Sequence, residues 1–397
     1  MSITENAAEG YREDLVRFLR DLIAIPAETG DEEARCRRVM EEYERLGFDE
    51  CFFDELGTVV ARIGDGPRVL LMDGHIDCVG IGDPASWDFD PHKGKLEDDE
   101  IWGRGAVDEL PGVVCMAYGA KLLMERGVPD GLTLYLTASV MEELCEGAAH
   151  MCLLQSERVR RPDGVILGEP TNMAIYRGQR GRIEAKITLR GRAAHGAQPE
   201  LGDNALYKAA RVLAAVEALG DDLEDDDFLG RGTVVASDIE CRTPCRNAVP
   251  DLVHLYIDRR LTAGEDADAA LARLAALDGL TERDEVTLER YQSKAWTGAD
   301  VEMDKAYPAW TTPADHPLVV EACAAVEDVL GAAPRVGRWS FSTNGVATRG
   351  LLGIPTVGFA PGDEDLAHTT REHVAVDDLV RATAVYARLA ERFAASS

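Results

Sequence analysis

The sequence has few lysines, no long apolar segment and no disulfide pattern. Only 7 of its 42 basic residues are lysines, and 72 acidic residues give the 397-residue chain a net charge of -30. Because this charge repels the phosphates of nucleic acids and anionic membranes, we expect neither as a partner. The first residues also lack the basic start and apolar core of a signal peptide. We therefore expect a cytoplasmic protein, with an acidic surface suited to high salt.

The nine cysteines are scattered along the chain. Their odd number and the length of the chain argue against a disulfide framework. Cys241 and Cys245 form the only close pair, and without a second pair nearby we expect no structural zinc site there. Free, mostly buried thiols are the expected state.

Strands alternate with helices in the first 180 residues and again near the end. This order predicts a largely parallel sheet covered on both faces, which places functional groups at the carboxyl ends of its strands. From Arg180 the strands alternate between apolar and polar residues, which predicts an inserted α+β module of roughly a hundred residues. We therefore predict a larger domain from residues 1–179 and 295–397, and an inserted domain from residues 180–294. The predicted elements are helices 11–23, 31–46, 112–126, 147–154, 204–218, 267–277, 316–330 and 376–394, and strands 58–63, 68–72, 132–138, 164–167, 183–189, 232–239, 252–257, 285–291 and 354–359.

A histidine and an aspartate follow the apolar strand 68–72. His75 and Asp77 are two residues apart, so in extended chain both side chains point the same way. Imidazole is a preferred metal ligand, and a neighbouring carboxylate fixes its tautomer. Taken alone, the pair is better explained as a chance feature of a surface loop. A metal site requires further ligands from the rest of the chain.

Four further stretches offer such ligands, and three of them directly follow predicted strands. Adjacent carboxylates at a strand end point in different directions, so one can hold a metal while the other reaches a metal-bound water. In the last stretch His368 is the candidate ligand, Glu372 would orient neighbouring groups, and His373 is a competitor nearer the terminal helix. The candidates outside that stretch are Asp108 after Gly103-Arg-Gly105, Glu142 and Glu143 after strand 132–138, and Glu169 after strand 164–167.

Together these stretches resemble the M20 metallopeptidase and deacylase family, the group of acetylornithine deacetylase, succinyl-diaminopimelate desuccinylase and glutamate carboxypeptidase. The matching stretches are Gly-His75-Ile-Asp77, Gly-Arg-Gly-Ala-Val-Asp108, Met-Glu142-Glu143, Gly-Glu169-Pro-Thr, Arg-Ala-Ala-His195-Gly-Ala, Arg246-Asn247-Ala-Val-Pro250, Asp258-Arg-Arg260 and Ala-His368-x-x-x-Glu372. The resemblance implies a zinc-exopeptidase-like α/β fold, with a mainly parallel mixed sheet flanked by helices and an inserted α+β dimerisation or lid domain.

The resemblance also implies a division of roles. Two zinc ions, replaceable by cobalt or manganese, would be held by His75, Asp108, Glu143, Glu169 and His368, with Asp108 bridging. Asp77 would orient His75, and Glu142 would be the general base. His195, reached from the partner subunit of a homodimer, would stabilise the oxyanion.

The implied substrate is a small molecule bearing a carboxylate. Arg180 and Arg260 match arginines that bind such a group, Asn247 matches a polar residue near His195, and Asn344 and Gly345 lie in a candidate substrate loop. The chain departs from the family at Glu109-Leu-Pro-Gly, where Met-Lys-Gly-Gly is common, and at loop 339–345. Stretches 341–345 and 358–364 are more similar to a branch described as selenium-metabolism or purine-degradation-linked hydrolases.

The expected activity is cleavage of the amide bond of an N-acyl amino acid or a similar small amide. A metallo-carboxypeptidase or dipeptidase is the alternative within the same class. A catalytically silent binding homologue is an alternative from another class. Such a homologue should have lost a ligand or the base, but all five ligands, Asp77 and Glu142 are present.

Overall fold

The computed structural model describes residues 3–243 and 245–396. Its helices are α1 Ile3–Glu9, α2 Arg12–Ile23, α3 Glu33–Leu46, α4 Leu110–Arg126, α5 Ala148–Gln155, α6 Ala205–Leu219, α7 Ala267–Ala275, α8 Pro317–Leu330 and α9 Val376–Ala395. Its strands are β1 Glu50–Phe53, β2 Val59–Ile63, β3 Arg68–His75, β4 Lys95–Glu97, β5 Glu100–Trp102, β6 Leu132–Ser139, β7 Gly164–Leu167, β8 Ile175–Gln179, β9 Gly181–Arg190, β10 Asp225–Asp226, β11 Gly230–Arg231, β12 Thr233–Arg242, β13 Leu252–Leu261, β14 Glu285–Leu288, β15 Arg290–Lys294, β16 Asp300–Asp304, β17 Ala306–Tyr307, β18 Trp310–Thr311, β19 Val336–Trp339, β20 Thr356–Gly358 and β21 His373–Ala375.

The larger sheet is mixed, with a parallel centre. Its order is β1-β2-β6-β3-β7-β20-β8-β18, with β19 beside β8. Strands β6, β3, β7 and β20 run parallel, while β2 and β8 run antiparallel to their neighbours in this centre. His75 pairs with Ser139, and Leu167 pairs with both Asp73 and Gly358, so the carboxyl ends of the central strands lie side by side. The predicted α/β fold class is confirmed.

Helices cover this sheet closely. Every residue of β6 is buried, as expected for a strand covered on both faces. Helix α4 packs against α9 at Gly119, where a Cβ would lie 2.8 Å from the Cβ of Tyr386. A larger residue at Gly119 would therefore push the two helices apart. Among the described residues, none of the helices combines the length and the apolar character needed to cross a membrane.

The smaller sheet has the order β12-β13-β9-β14, with β17 also beside β9. Buried and partly exposed residues alternate along β13, because one face packs on a core that includes Val253, Leu255 and Ile257. Strand β12 lies at the edge of this sheet and is mostly exposed. Strand β17 belongs to the smaller sheet although it follows residue 295. The predicted division of the chain between residues 294 and 295 stays a prediction.

One predicted strand is wrong. The stretch 285–291 forms two strands, because β14 pairs with β9 whereas β15 pairs with β16. At the break, Glu289 exchanges main-chain hydrogen bonds with Glu184 and Lys305. The other predicted helices and strands occur, most with ends shifted by a few residues. All nine cysteines are free, as expected, and Cys241 and Cys245 are exposed.

Candidate metal centre

The acidic and histidine residues of the sequence motifs meet at the carboxyl ends of the parallel strands. His75 ends β3, Glu142 and Glu143 lie just after β6, and Glu169 lies just after β7. Asp108 comes from the turn before α4, and His368 from the loop after β20. Parallel topology explains this convergence, because all four central strands point the same way.

Asp108 lies between the two histidines. Its Oδ1 is 3.0 Å from Nε2 of His75, and its Oδ2 is 3.1 Å from Nε2 of His368. A carboxylate with one oxygen toward each imidazole is suited to bridging two cations. This placement agrees with the bridging role that the sequence suggests for Asp108.

The glutamates surround this arrangement in two groups. Ligand atoms of His75, Asp108 and Glu143 lie within 4.8 Å of one another, and so do those of His75, Glu142 and Glu169. Glu143 also lies 3.2 Å from Nε2 of His368, and its other oxygen accepts a hydrogen bond from the main chain of Val79. All five predicted ligands and Glu142 are therefore brought together.

Asp77 contacts His75 through its main chain. Nδ1 of His75 donates to the Asp77 carbonyl oxygen at 2.9 Å, whereas the nearest carboxylate oxygen is 3.6 Å away. With Nδ1 donating this hydrogen bond, Nε2 is the nitrogen of His75 that a metal could bind. The Asp77 carboxylate instead accepts hydrogen bonds from the main-chain N–H groups of Glu142 and Glu143 at 3.0 and 3.1 Å. Asp77 thus supports both strand ends.

Glu372 holds the turn that carries Asp108. One of its carboxylate oxygens accepts three main-chain hydrogen bonds, from Gly105, Val107 and Asp108, and the other accepts one from Arg104 at 2.7 Å. The side chain is fully buried. The competitor His373 instead stacks on Trp102, with ring centroids 4.0 Å apart.

Burial and neighbouring carboxylates shift the pKa values of the residues in the cluster. Burial raises the pKa of Glu142 and that of Glu169 well above the usual carboxyl range, and neighbouring carboxylates add to the effect. Burial lowers the pKa of His75, but nearby carboxylates outweigh it and raise this pKa well above its ordinary value. Hydrogen bonds to Asp108 and Glu143 raise the pKa of His368 to about 10. The cluster therefore favours cations strongly.

The donor set fits divalent metal ions. Two imidazoles and several carboxylates form the mixed nitrogen and oxygen set that zinc and similar metals accept. Oε1 of Glu142 is buried and has no hydrogen-bond partner among residues 3–243 and 245–396, although its neighbour Glu143 is held on both oxygens. Glu142 is therefore free to act on a substrate or water, and the other five residues can hold metal.

A cavity of about 310 Å³ opens above the cluster. The described residues that line it are Asp108, Glu142, Glu143, Glu146, Glu169, Arg182, Arg260, Phe341, Ser342, Glu364, Ala367 and His368. Arg260 is thus where the sequence motifs expect a substrate-binding arginine, although Asp258 also binds its guanidinium on two nitrogens. Arg180 does not line this cavity, and its guanidinium donates to the carbonyl oxygens of Ser340 and Arg231.

Asn344 and Gly345 lie behind the cavity rather than in its lining. The Asn344 amide donates to Asp73 and Ser139 at 3.0 Å each, and its oxygen accepts from the main chain of Gly147 at 2.8 Å. A Cβ on Gly345 would lie 2.4 Å from the ring of Trp310. Packing and these hydrogen bonds occupy both residues in the structure, and their predicted part in substrate binding stays a prediction.

His195 and Asn247 lie together in two loops that follow β9 and β12 of the smaller sheet, and neither is part of this cavity lining. His195 forms a bridge with Ala248, and the main chain of Gly196 donates to the carbonyl oxygen of Asn247 at 2.7 Å. Both side chains are exposed. Within the described chain they therefore remain separate from the metal cluster.

Several cavity residues were missed by the sequence analysis. Arg182 binds Glu146 at 3.2 Å, which joins β9 of the smaller sheet to the loop after β6. Alternation along β9 places Arg182 on its open face, but it does not reveal what that face meets. Phe341 and Ser342 come from loop 339–345, in which the sequence prediction named Asn344 and Gly345 instead.

Comparisons with known proteins agree with this geometry. A sequence model of peptidase family M20/M25/M40 matches residues 71–392. The chain is 41% identical to the uncharacterised protein YgeY of Escherichia coli K12 over 96% of this chain and 95% of that protein. It is 29% identical to a succinyl-diaminopimelate desuccinylase of Magnetococcus marinus, over 96% and 98% of the two chains. The fold is similar to an M20 family metallo-carboxypeptidase of Sulfolobus solfataricus, with TM-score 0.76, 16% identity and coverage of 96% and 99%.

Proposed function

Since the chain belongs to peptidase family M20/M25/M40 and is a metal-dependent hydrolase, we propose that it is a dinuclear zinc enzyme that cleaves the amide bond of an N-acyl amino acid or of a similar small amide. The observation that carries this proposal is the placement of Glu142. One of its oxygens lies 3.7 Å from Nε2 of His75, and the other has no hydrogen-bond partner in the part of the chain that the structure describes. This carboxylate lines the same cavity as the predicted ligands.

His75, Asp108, Glu143, Glu169 and His368 are the proposed ligands. Two divalent ions held there would polarise the amide carbonyl and make an attacking water more acidic. Glu142 accepts the proton of that water and later delivers it to the nitrogen of the leaving amine. Its main-chain N–H is held by Asp77, which keeps the carboxylate directed toward the cavity.

The proposed enzyme is a homodimer in which His195 acts on the site of the partner subunit. In support, His195 is exposed and does not line the cavity of its own chain. The edge strand β12 also exposes Val235 and Ile239, at 55% and 44% of their surfaces. An exposed strand edge with apolar side chains is a surface that pairs readily with another chain. Asn247, beside His195, would reach the substrate in the same way.

The proposed substrate carries a carboxylate that binds Arg260. A guanidinium matches the planar geometry of a carboxylate, and this arginine lines the cavity above the cluster. The relatives point to two versions of the substrate. A desuccinylase indicates an N-succinyl amine, whereas a metallo-carboxypeptidase indicates a peptide.

A substrate screen tests the proposal. N-acetyl, N-succinyl, N-formyl and N-carbamoyl amino acids would be compared with dipeptides, each with zinc and with cobalt. We expect hydrolysis of one N-acyl class, loss of that activity with a chelator, and recovery when zinc is restored. Hydrolysis of dipeptides alone would instead establish a peptidase. Activity that survives complete removal of metal would contradict the metal-dependent mechanism.

A further inference from the structure

The segment 29–35, which links α2 to the first turn of α3, touches both strand ends that carry the metal centre. It precedes residues 71–392, the part of the chain that the family model matches. Three of its side chains make the contacts: Thr29, Glu32 and Arg35. Glu32 and Arg35 are almost completely buried, at 0% and 1% exposure.

Two of these side chains hold the end of β3. The hydroxyl of Thr29 donates to the Asp77 carboxylate at 2.7 Å. The guanidinium of Arg35 donates to the carbonyl oxygen of Ile76, the residue between His75 and Asp77. A third bond, from the main chain of Cys78 to the carbonyl oxygen of Ala27, continues the same contact at 2.9 Å.

Glu32 holds the other strand end, at the turn that leads to Glu142. One of its carboxylate oxygens accepts the main-chain N–H of Met141 at 3.2 Å. The next two N–H groups, of Glu142 and Glu143, go to Asp77. Two buried carboxylates thus bind three consecutive main-chain N–H groups.

The turn needs such support. Met141 has a φ of 66°, a backbone conformation that residues with a side chain rarely adopt. Without an acceptor, its buried N–H would be left unpaired, so the turn would tend to rearrange. The direction of the Glu142 carboxylate depends on this backbone, and a shift of about 1 Å at a catalytic group can cost about 100-fold in rate.

We propose that Glu32 is a positioning residue that directs Glu142 toward the cavity, with Thr29 and Arg35 supporting the neighbouring strand end. This inference rests on the proposed role of Glu142 as general base. Glu32 itself does not touch the substrate. Its effect should therefore appear in kcat rather than in KM.

Two variants of Glu32 test the proposal, with a control on α3, the helix that Glu32 precedes. Glu32→Ala removes the acceptor and should lower kcat by about 10- to 100-fold, with KM and zinc content nearly unchanged. Glu32→Gln keeps an oxygen for Met141 and should recover most of the rate. The control Glu42→Ala removes an equally buried carboxylate of α3, which binds Arg17, Arg38 and Arg45, and it should lower Tm but leave kcat unchanged.

Hydrogen–deuterium exchange in the metal-free protein separates this inference from the proposed activity. Glu32→Ala should speed exchange at residues 141–143, and Glu32→Gln should restore the wild-type rate. Unchanged exchange at these residues, an unchanged kcat in Glu32→Ala, or an equal loss of kcat in Glu42→Ala would each overturn the proposal. If the wild type hydrolyses none of the screened amides, the proposed function fails, while the exchange measurement still decides what Glu32 holds.

Discussion

The predicted functional residues near the two sheets differ in position: one group is gathered in the interior and the other is exposed at the surface. The ends of β3, β6 and β7 in the larger sheet bring His75, Glu142, Glu143 and Glu169 together in the interior of one chain. In the loops that follow β9 and β12 of the smaller sheet, His195 and Asn247 are exposed and outside the cavity lining. Parallel topology alone is sufficient to assemble the first group. The second group can act only if another surface, such as that of a partner subunit, brings it to a site.

The largest expected effect is at Asp108. Asp108→Asn keeps the shape of the side chain but removes the charge that lies between His75 and His368. We expect loss of most bound metal and of all measurable hydrolysis, because neutral amides bind zinc poorly. Elemental analysis and the amide assay check this. Asp258→Asn in the smaller sheet is the control for metal content, and retained metal in Asp108→Asn would refute its bridging role.

The next largest effect is expected at His195, outside the cavity lining of its own chain. His195→Ala should lose about 100-fold in kcat while keeping its metal, because only the oxyanion donor is removed. Mixing it with Glu142→Ala under conditions that exchange subunits should restore activity to about a quarter of the wild-type value, since half of the dimers then carry one intact site. Activity assays before and after mixing measure this. No recovery, with exchange demonstrated, would contradict a site shared between subunits.

A smaller effect concerns pH and the buried carboxyls near the larger sheet. Burial, and then the charge of Asp77, raise the pKa of Glu32 from its ordinary 4.5 to about 7. Between these values the folded chain holds a proton that the unfolded chain has released, so the free energy of unfolding falls as pH rises through this window. Glu32→Gln should remove this fall and be more stable than the wild type above pH 7, by about 3 kcal/mol at most.

Urea unfolding of the metal-free protein at several pH values measures this difference. Glu285→Gln, an exposed carboxylate of the smaller sheet, is the matched control. If the free energy of unfolding of Glu32→Gln depends on pH in the same way as that of the wild type and of the control, Glu32 does not hold its proton in the folded chain.

The smallest effect is the dependence of Tm on salt, which should stabilise the regions around both sheets alike. With a net charge of -30, repulsion across the surface opposes folding, and added salt screens it. We expect the Tm to rise by a few degrees between about 0.1 and 1 M potassium chloride. A Tm that is constant or falls with salt would refute the interpretation of the acidic surface as an adaptation to high salt.

The sequence predicts the metal cluster better than the substrate cavity. Each predicted ligand follows an apolar strand or a glycine turn, and parallel strands bring such ends together, so local signals were sufficient to predict that His75, Glu142 and Glu169 lie close together. Arg182 of β9 contacts Glu146 in the loop after β6, and no local sequence pattern contains that contact between distant parts of the chain. The hydrogen bonds of Asn344 to Asp73 and Ser139 could not be predicted either, because they join residues about 200 or more positions apart.

The central claim is that Glu142 moves protons beside a metal pair that other residues hold. Glu142→Gln is its most direct test, because the amide keeps the size of the side chain but cannot accept the proton. After equilibration with zinc, we expect two zinc ions per chain in both the wild type and the variant, and a fall in kcat of about 100- to 10,000-fold in the variant. A variant that hydrolyses the substrate at the wild-type rate, or that loses its zinc, would contradict this account.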